Sequence, residues 1–466
     1  MTTLRALAAR VRAGETASRV LVERSLQRIA DLNPDLGAVV GLRAGEALEE
    51  AAGLDDHGPA GPLAGLPVLI KDLTDVAGMR TTFGSLLFAD APPAERDGLV
   101  TARLRAAGAI VVGKTNMPEF AAEGYTSNRV FGTTRNPWNR LRTTGGSSGG
   151  SSAAIAAGMA AIATATDTGG SIRIPAAYGG LVGLKPTNGV IAREAATHER
   201  LEWIDFTTDG PIGVHVDDVR LQMEVLAGPA PGDQAALPEP LGLSSMTGRR
   251  PSRVLLARRW SDRGPLPAEI EALFVDAAAR FAAMFGLEPE PYDAPAALGA
   301  VGDPDDDWFT ITGAELAQAL GGADGIARVR DLLAPSTVGL VGEGSVVDIA
   351  SYIAARRRRF GYARVLDEAL GADVVLVSPV MTVDAIAAEG PGGDEGTGSE
   401  MYVVQAQNLT GHPAISLPAG THASGVPFGL QVTAPRFADG FLLDLADAWE
   451  AAHPWPESAP GYLPFA

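Results

Sequence analysis

The chain has 466 residues, 46% of them hydrophobic and 20% charged, enough for a large core and, on length alone, for two or three domains. A formal net charge of −19 opposes nucleic-acid backbones and anionic membranes as partners. The absence of cysteine excludes disulfides, thiolate catalysis and cysteine-ligated metal.

The N-terminal text MTTLRALAARVRAGET lacks a long apolar core, so no signal peptide is expected. No stretch approaches the uninterrupted apolar length that crosses a bilayer, and a soluble cytoplasmic protein follows. Residues 4–11 and 18–32 read as amphipathic helices split by Gly14, with Asn33-Pro34 ending the second. Residues 46–52 are helical, and HGPAGPLAG is a turn-rich loop. Residues 67–70 are a short apolar strand with Lys71 at its C-terminal end, where α/β proteins place chemistry. A helix over 98–107 and a strand over 109–112, ending near Lys114, continue a helix-then-strand alternation. That alternation predicts a mostly parallel or mixed sheet with helices on its faces. Residues 131–142, with Asn136-Pro137-Trp138, read as turn and loop.

Residues 143–175, TTGGSSGGSSAAIAAGMAAIATATDTGGSIRIP, place two glycine-flanked serine clusters at the ends of one apolar run. Glycine allows close backbone approach, so a serine there can stand beside exposed N–H groups, as acyl transfer requires. The run over 151–166 is alanine-rich and predicts a helix buried under the site. Residues 179–185 read as a second loop wall. The charged aromatic stretch 191–210 is followed by a turn at 211–214, a helix over 216–227 and a Pro/Gly-rich connection over 229–252.

A strand over 254–257 and a helix over 267–285 come next. Asp303, Asp305, Asp306 and Asp307 lack the ligand spacing and closing glutamate of a calcium loop, and read as a solvated acidic loop. Residues 347–370 form a long helix, around which Arg356–Arg359 are spread over several faces as a solvated, salt-bridged surface. Strands over 372–378, 414–417 and 428–432 and helices over 401–409 and 441–449 complete the chain. No internal repeat is present.

GGSSGG at 145–150 followed by DTGGSIRIP at 167–175 resembles the signature of the amidase signature family, in its free-standing amidase branch. Further matches are GLPVLIKD at 65–72, KTNMPEFA at 114–121, FGTTRNPW at 131–138, NLTGHPAISLPAG at 408–420 and GVPFGLQV at 425–432. The resemblance spans nearly the whole chain. It implies one α/β domain over 1–466, a mixed twisted β-sheet covered by helices on both faces. Within it, 60–220 would be the catalytic core and 229–400 a variable region shaping the substrate pocket.

The resemblance also implies a mechanism. Neutral Lys71 draws a proton from Ser147, which sits at a non-proline cis peptide bond, and Ser147 draws one from the nucleophile Ser171. A neutral lysine needs a buried, apolar approach, which residues 67–70 supply. Thr168, Gly169, Gly170 and Ser171 offer consecutive N–H groups suited to a tetrahedral oxyanion. Asp167 and Arg173 hold that loop, Ser148 orients Lys71 or Ser147, and Asp72 supports the backbone.

None of the six histidines, His57, His198, His215, His412, His422 and His453, lies in triad text. His412 reads as structural and His422 as a solvated loop residue. Met117, Tyr125, Trp138, Trp203, Phe206 and Met381 are candidate pocket walls. No cofactor or metal is expected, since no H-E-x-x-H or P-loop occurs. The expected partner is a small-molecule amide, with no nucleic acid and no membrane, and a homodimer stays open. The competing readings are the glutamine-cleaving component of a tRNA-dependent amidotransferase, an esterase or carbamate hydrolase of the same fold, and a silent binding relative. The stretch SVVDIASYIAARRRRFGY at 345–362 does not resemble the text that glutamine-cleaving relatives use there.

Overall fold

The computed structural model describes residues 2–193, 205–238, 241, 243, 248–391 and 404–466. Among them, thirteen strands occur: β1 (Val39–Leu42), β2 (Pro67–Lys71), β3 (Ile110–Thr115), β4 (Ser127–Asn128), β5 (Gly132–Thr133), β6 (Ile162–Asp167), β7 (Val182–Lys185), β8 (Thr208–Gly213), β9 (Arg253–Leu256), β10 (Pro289–Pro291), β11 (Val374–Pro379), β12 (Ala414–Thr421) and β13 (Pro427–Thr433). Eleven of these form one sheet in the order β1-β3-β2-β6-β8-β7-β12-β13-β11-β9-β10, and β4 pairs with β5 alone. The sheet is mixed. β2 runs parallel to β3 and β6, whereas β7 runs antiparallel to both β8 and β12.

Side-chain alternation along β2 feeds two cores. Val68 and Ile70 face the same hydrophobic core as Leu4, Leu104 and Trp449. Leu69 packs with Ala153, Ala154 and Ile155 of the short helix Gly149–Ala156. Lys71, two residues beyond Leu69, leaves the strand toward the start of that helix. Helices thus cover both faces of one continuous sheet. Among the described residues no single helix is long and apolar enough to cross a membrane.

Several local expectations are corrected. The helix Ser18–Leu36 runs through Pro34 and stops at Gly37, which takes the left-handed conformation. Pro34 removes one hydrogen bond, but its fixed φ suits a last turn. The Asn33 side chain then accepts from Ala38 N and Val39 N, both at 2.8 Å. The apolar run 151–166 is not one helix. It breaks at Gly158, where φ is 66°, and continues as β6. Residues 179–185 are not a loop wall, because Val182–Lys185 is an interior strand.

The aspartates near 303 are not a solvated loop. Asp303 caps the helix Pro304–Ala319, and Asp305 and Asp307 are buried. Asp307 accepts from Tyr362 Oη at 2.6 Å and from Arg358 Nε at 2.8 Å. The arginine run is the salt-bridged surface expected of it. Arg356 and Arg359 both reach Asp205 at 2.7 Å, and Arg356 also reaches Glu315 at 2.8 Å. The stretch 194–204, most of the unusual text noted above, lies outside the described residues, as do 401–403 of the helix expected over 401–409.

Candidate active site

Lys71 ends β2 with none of its surface exposed. Its Nζ lies 2.8 Å from Ser147 Oγ, 2.9 Å from Ser148 Oγ and 2.8 Å from Thr166 Oγ1. Burial lowers its pKa to about 7, against the pull of Asp167 and Asp209 in the other direction. A neutral amine has two N–H donors and one lone pair. Ser148 Oγ is within reach of Thr166 O at 3.4 Å and is thus placed to donate there while accepting from Lys71. In a neutral amine whose two N–H groups went to Ser148 and Thr166, the lone pair would be left for the Ser147 hydroxyl. The Gly146–Ser147 peptide bond is cis.

Ser171 stands on the loop that follows β6. It retains 9% of its surface, whereas Lys71 and Ser147 retain none. Ser148 N donates to Ser171 O at 3.3 Å and joins the two serine loops. The Ser171 loop is held from behind by Asp167, whose carboxylate accepts from Gly170 N at 2.7 Å and Ile172 N at 3.2 Å. Arg173 donates to the same carboxylate at 2.9 and 2.8 Å. Burial opposes the charge on Asp167, but Arg173, Lys185 and the Gly170 N–H outweigh it and hold the group well below the usual carboxylate range.

One expected oxyanion donor is already engaged, since the Gly170 N–H points at Asp167. The oxyanion reading then rests on Thr168, Gly169 and Ser171. Gly169 is required for close approach, because a Cβ there would come 2.7 Å from the ring of Trp308. Trp308 Nε1 in turn donates to Thr168 O at 2.8 Å.

A cleft opens onto this constellation at Thr166 and Thr168. Its walls are mainly apolar, with Leu73, Phe83, Phe120, Trp308, Leu316 and Leu340 among them. Thr207, Asp209 and Arg193 add polar groups. None of the described pocket candidates from the sequence lines this cleft. Met117 and Met381 are core residues, Tyr125 packs against Gly390, and Trp138 donates to Gly179 O at 2.8 Å. Phe206 lies under the Arg359 guanidinium at 4.8 Å. Trp203 falls outside the described residues.

Sequence reasoning missed Thr166, which touches both the lysine and the cleft. The alternating threonines of IATATD carried the signal, since a strand beside β2 aims such hydroxyls at its neighbour; Thr164 Oγ1 accepts from Lys71 N at 2.8 Å. It also missed Asn408, whose Nδ2 donates to Asp167 O at 2.9 Å and whose Oδ1 accepts from Arg173 at 2.7 Å.

The histidines stand apart from the cleft, with His198 outside the described residues. His412 is buried 3.0 Å from Thr410 Oγ1, as befits a structural residue. His422 is no solvated loop residue, being only 3% exposed. Asp72 is paired with Lys114 at 2.8 Å.

A family profile described as Amidase matches residues 20–443. The chain is 34% identical to a glutamyl-tRNA(Gln) amidotransferase subunit of Synechococcus sp. (strain CC9605), over 97% of this chain and 96% of the relative. It is 32% identical to an acylamidase of Rhodococcus erythropolis, again over 97% and 96%. Among solved structures it superposes on a bacterial aryl acylamidase with a TM-score of 0.87, at 28% identity and covering 97% of this chain and 96% of that one. A 6-aminohexanoate cyclic dimer hydrolase gives a TM-score of 0.85 at 28% identity, with 98% of each chain covered. The chain belongs to the amidase signature family and is an amide-hydrolysing enzyme.

Proposed function

We propose that the protein hydrolyses amides of apolar, acyl- or aryl-bearing substrates through Lys71, Ser147 and Ser171, alone and without a metal. The observation that carries this reading is the buried Lys71, placed at 2.8 Å from Ser147 Oγ behind an apolar cleft. Neutral Lys71 accepts the Ser147 proton as Ser147 accepts that of Ser171. The freed Ser171 Oγ adds to the amide carbon, and the backbone N–H groups of Thr168, Gly169 and Ser171 receive the oxyanion. Collapse breaks the C–N bond, and the proton returns through Ser147 to the departing amine. Water then enters along the same route, loses its proton to the relay and releases the carboxylate.

The glutamine-cleaving alternative is favoured by the amidotransferase components among the relatives. Against it stand the apolar walls of the cleft and a net charge of −19, which suits neither a tRNA nor a tRNA-bound assembly. A hydrolysis panel of anilides, aliphatic amides, L-glutamine and matched esters separates the readings. Faster turnover of anilides or aliphatic amides than of glutamine by the isolated protein is the expected result. Glutamine hydrolysis that requires added partner proteins would reject it.

A further inference from the structure

Three ionisable residues converge away from the cleft. Glu269 lies in the first turn of the helix Ala268–Ala283, Asp384 in the segment after β11, and His422 where β12 gives way to the β12–β13 turn. One potential ligand atom from each lies within 4.8 Å of the other two. None of the three lines the cleft.

His422 is the unusual member. It is 3% exposed, with its ring edge-on to Tyr178 and Phe428, so it has little freedom to turn away. Its Nδ1 is buried and has no hydrogen-bond partner. The Glu269 Oε1 it faces is 3.8 Å distant, too far for a hydrogen bond. A buried imidazole nitrogen left unpaired carries a desolvation cost. Burial lowers the pKa of this histidine, although Asp384 and Glu269 both act to raise it.

The two carboxylates are aimed by the same turn. Ala423 N donates to Glu269 Oε1 at 2.8 Å, and Ser424 donates to Asp384 through Oγ at 2.6 Å and through N at 3.1 Å. Such outer contacts orient metal ligands in established sites.

We propose that Glu269, Asp384 and His422 form a structural zinc site that pins the β12–β13 turn to the start of the helix Ala268–Ala283. One imidazole and two carboxylates are a donor set suited to Zn²⁺, with water as the fourth ligand. The dication offsets the two acidic charges and gives the orphan Nδ1 a partner. Tetrahedral zinc would bring the ligand atoms to about 3.4 Å from one another. The Glu269 side chain, 45% exposed, would make that closure by turning its carboxylate about the Ala423 N–H.

The test uses full-length protein stripped with EDTA and titrated with ZnCl₂ by calorimetry and thermal melts. Saturable binding of one equivalent and a rise in Tm of several degrees are expected. Glu269→Gln should weaken binding at least tenfold while leaving the metal-free Tm nearly unchanged, since Glu269 is a surface residue. His422→Asn should abolish binding if it folds, and Glu269→Gln decides the matter if it does not. Hydrolysis by the stripped enzyme should equal that of the untreated one. Absence of one-equivalent binding, or equal affinity in Glu269→Gln, would overturn the site, and zinc-dependent hydrolysis would overturn its structural role.

Discussion

Thr166 Oγ1 is as close to Lys71 Nζ as Ser147 Oγ is, at 2.8 Å in both cases. On the proposed relay the threonine sets the direction of the lysine lone pair, because an amine whose N–H groups are engaged elsewhere has one orientation left. Thr166→Val keeps the shape and removes the acceptor. It should lower kcat by about 10- to 100-fold, roughly 1.4–2.8 kcal/mol of barrier. Thr166→Ser should restore most of the loss. Steady-state kinetics of both variants on one anilide checks this, and an unchanged kcat in Thr166→Val would remove Thr166 from the site.

The pH profile should rise through about 7, where Lys71 loses its proton. Stability carries the opposite face of the same shift. In the unfolded chain the lysine titrates near its ordinary 10.5, so between about 7 and 10.5 the unfolded state binds more protons and stability gains as pH rises. Lys71→Met eliminates that dependence, whereas Lys185, also held near 7 by burial, contributes equally to both proteins. The stability of Lys71→Met relative to wild type should therefore be greatest at pH 7 and decline toward pH 10. Urea melts at the two pH values measure the difference, and a difference that grows with pH would contradict a neutral buried lysine.

Ser171→Ala should abolish turnover and labelling by a serine-directed phosphonate together. Intact mass after quenching with a slow ester should place the acyl group on Ser171 by peptide mapping. An adduct on Ser147 or Lys71 would reject the assignment. Lys71→Ala combined with Ser147→Ala should cost little more than Lys71→Ala alone, as expected of one catalytic unit.

Trp308 packs its ring against Gly169 and holds Thr168 O through its indole N–H. Trp308→Phe keeps an aromatic wall but releases the carbonyl. A decrease in kcat of about tenfold, about 1.4 kcal/mol, with a smaller change in KM, is expected. A change confined to KM would make Trp308 a substrate wall only.

The alternating helices and strands around β2 and β3 were legible because strand and helix periods differ and glycines punctuate them. Ser147 and Ser171 were singled out by their glycine-flanked text, and Lys71 by the likeness of GLPVLIKD to the family's motif. Thr166 was not, because the alanine-rich run 151–166 reads as helix by propensity, whereas Gly158 and pairing with β2 and β8 make its second half a strand. The cleft was illegible for another reason. Its walls come from segments as distant as Leu73, Phe120 and Leu340, and no local pattern marks which apolar side chains will meet. Buried Asp307 looked solvated because Arg358 and Tyr362, its neutralising and hydrogen-bonding partners, lie 51 and 55 positions later.

Asp167 and Arg173 are tied to Asn408, which follows them by 241 and 235 positions. On the ribosome the nucleophile's loop emerges long before that anchor, and β7 waits equally for its neighbour β12. If Ser171 is the nucleophile proposed above, synthesis withholds its finished loop until the C-terminal strands arrive. Fragments cut short of residue 408 should be inert toward acylating reagents, so that the nascent chain has no means of modifying cellular amides or esters before it is nearly complete.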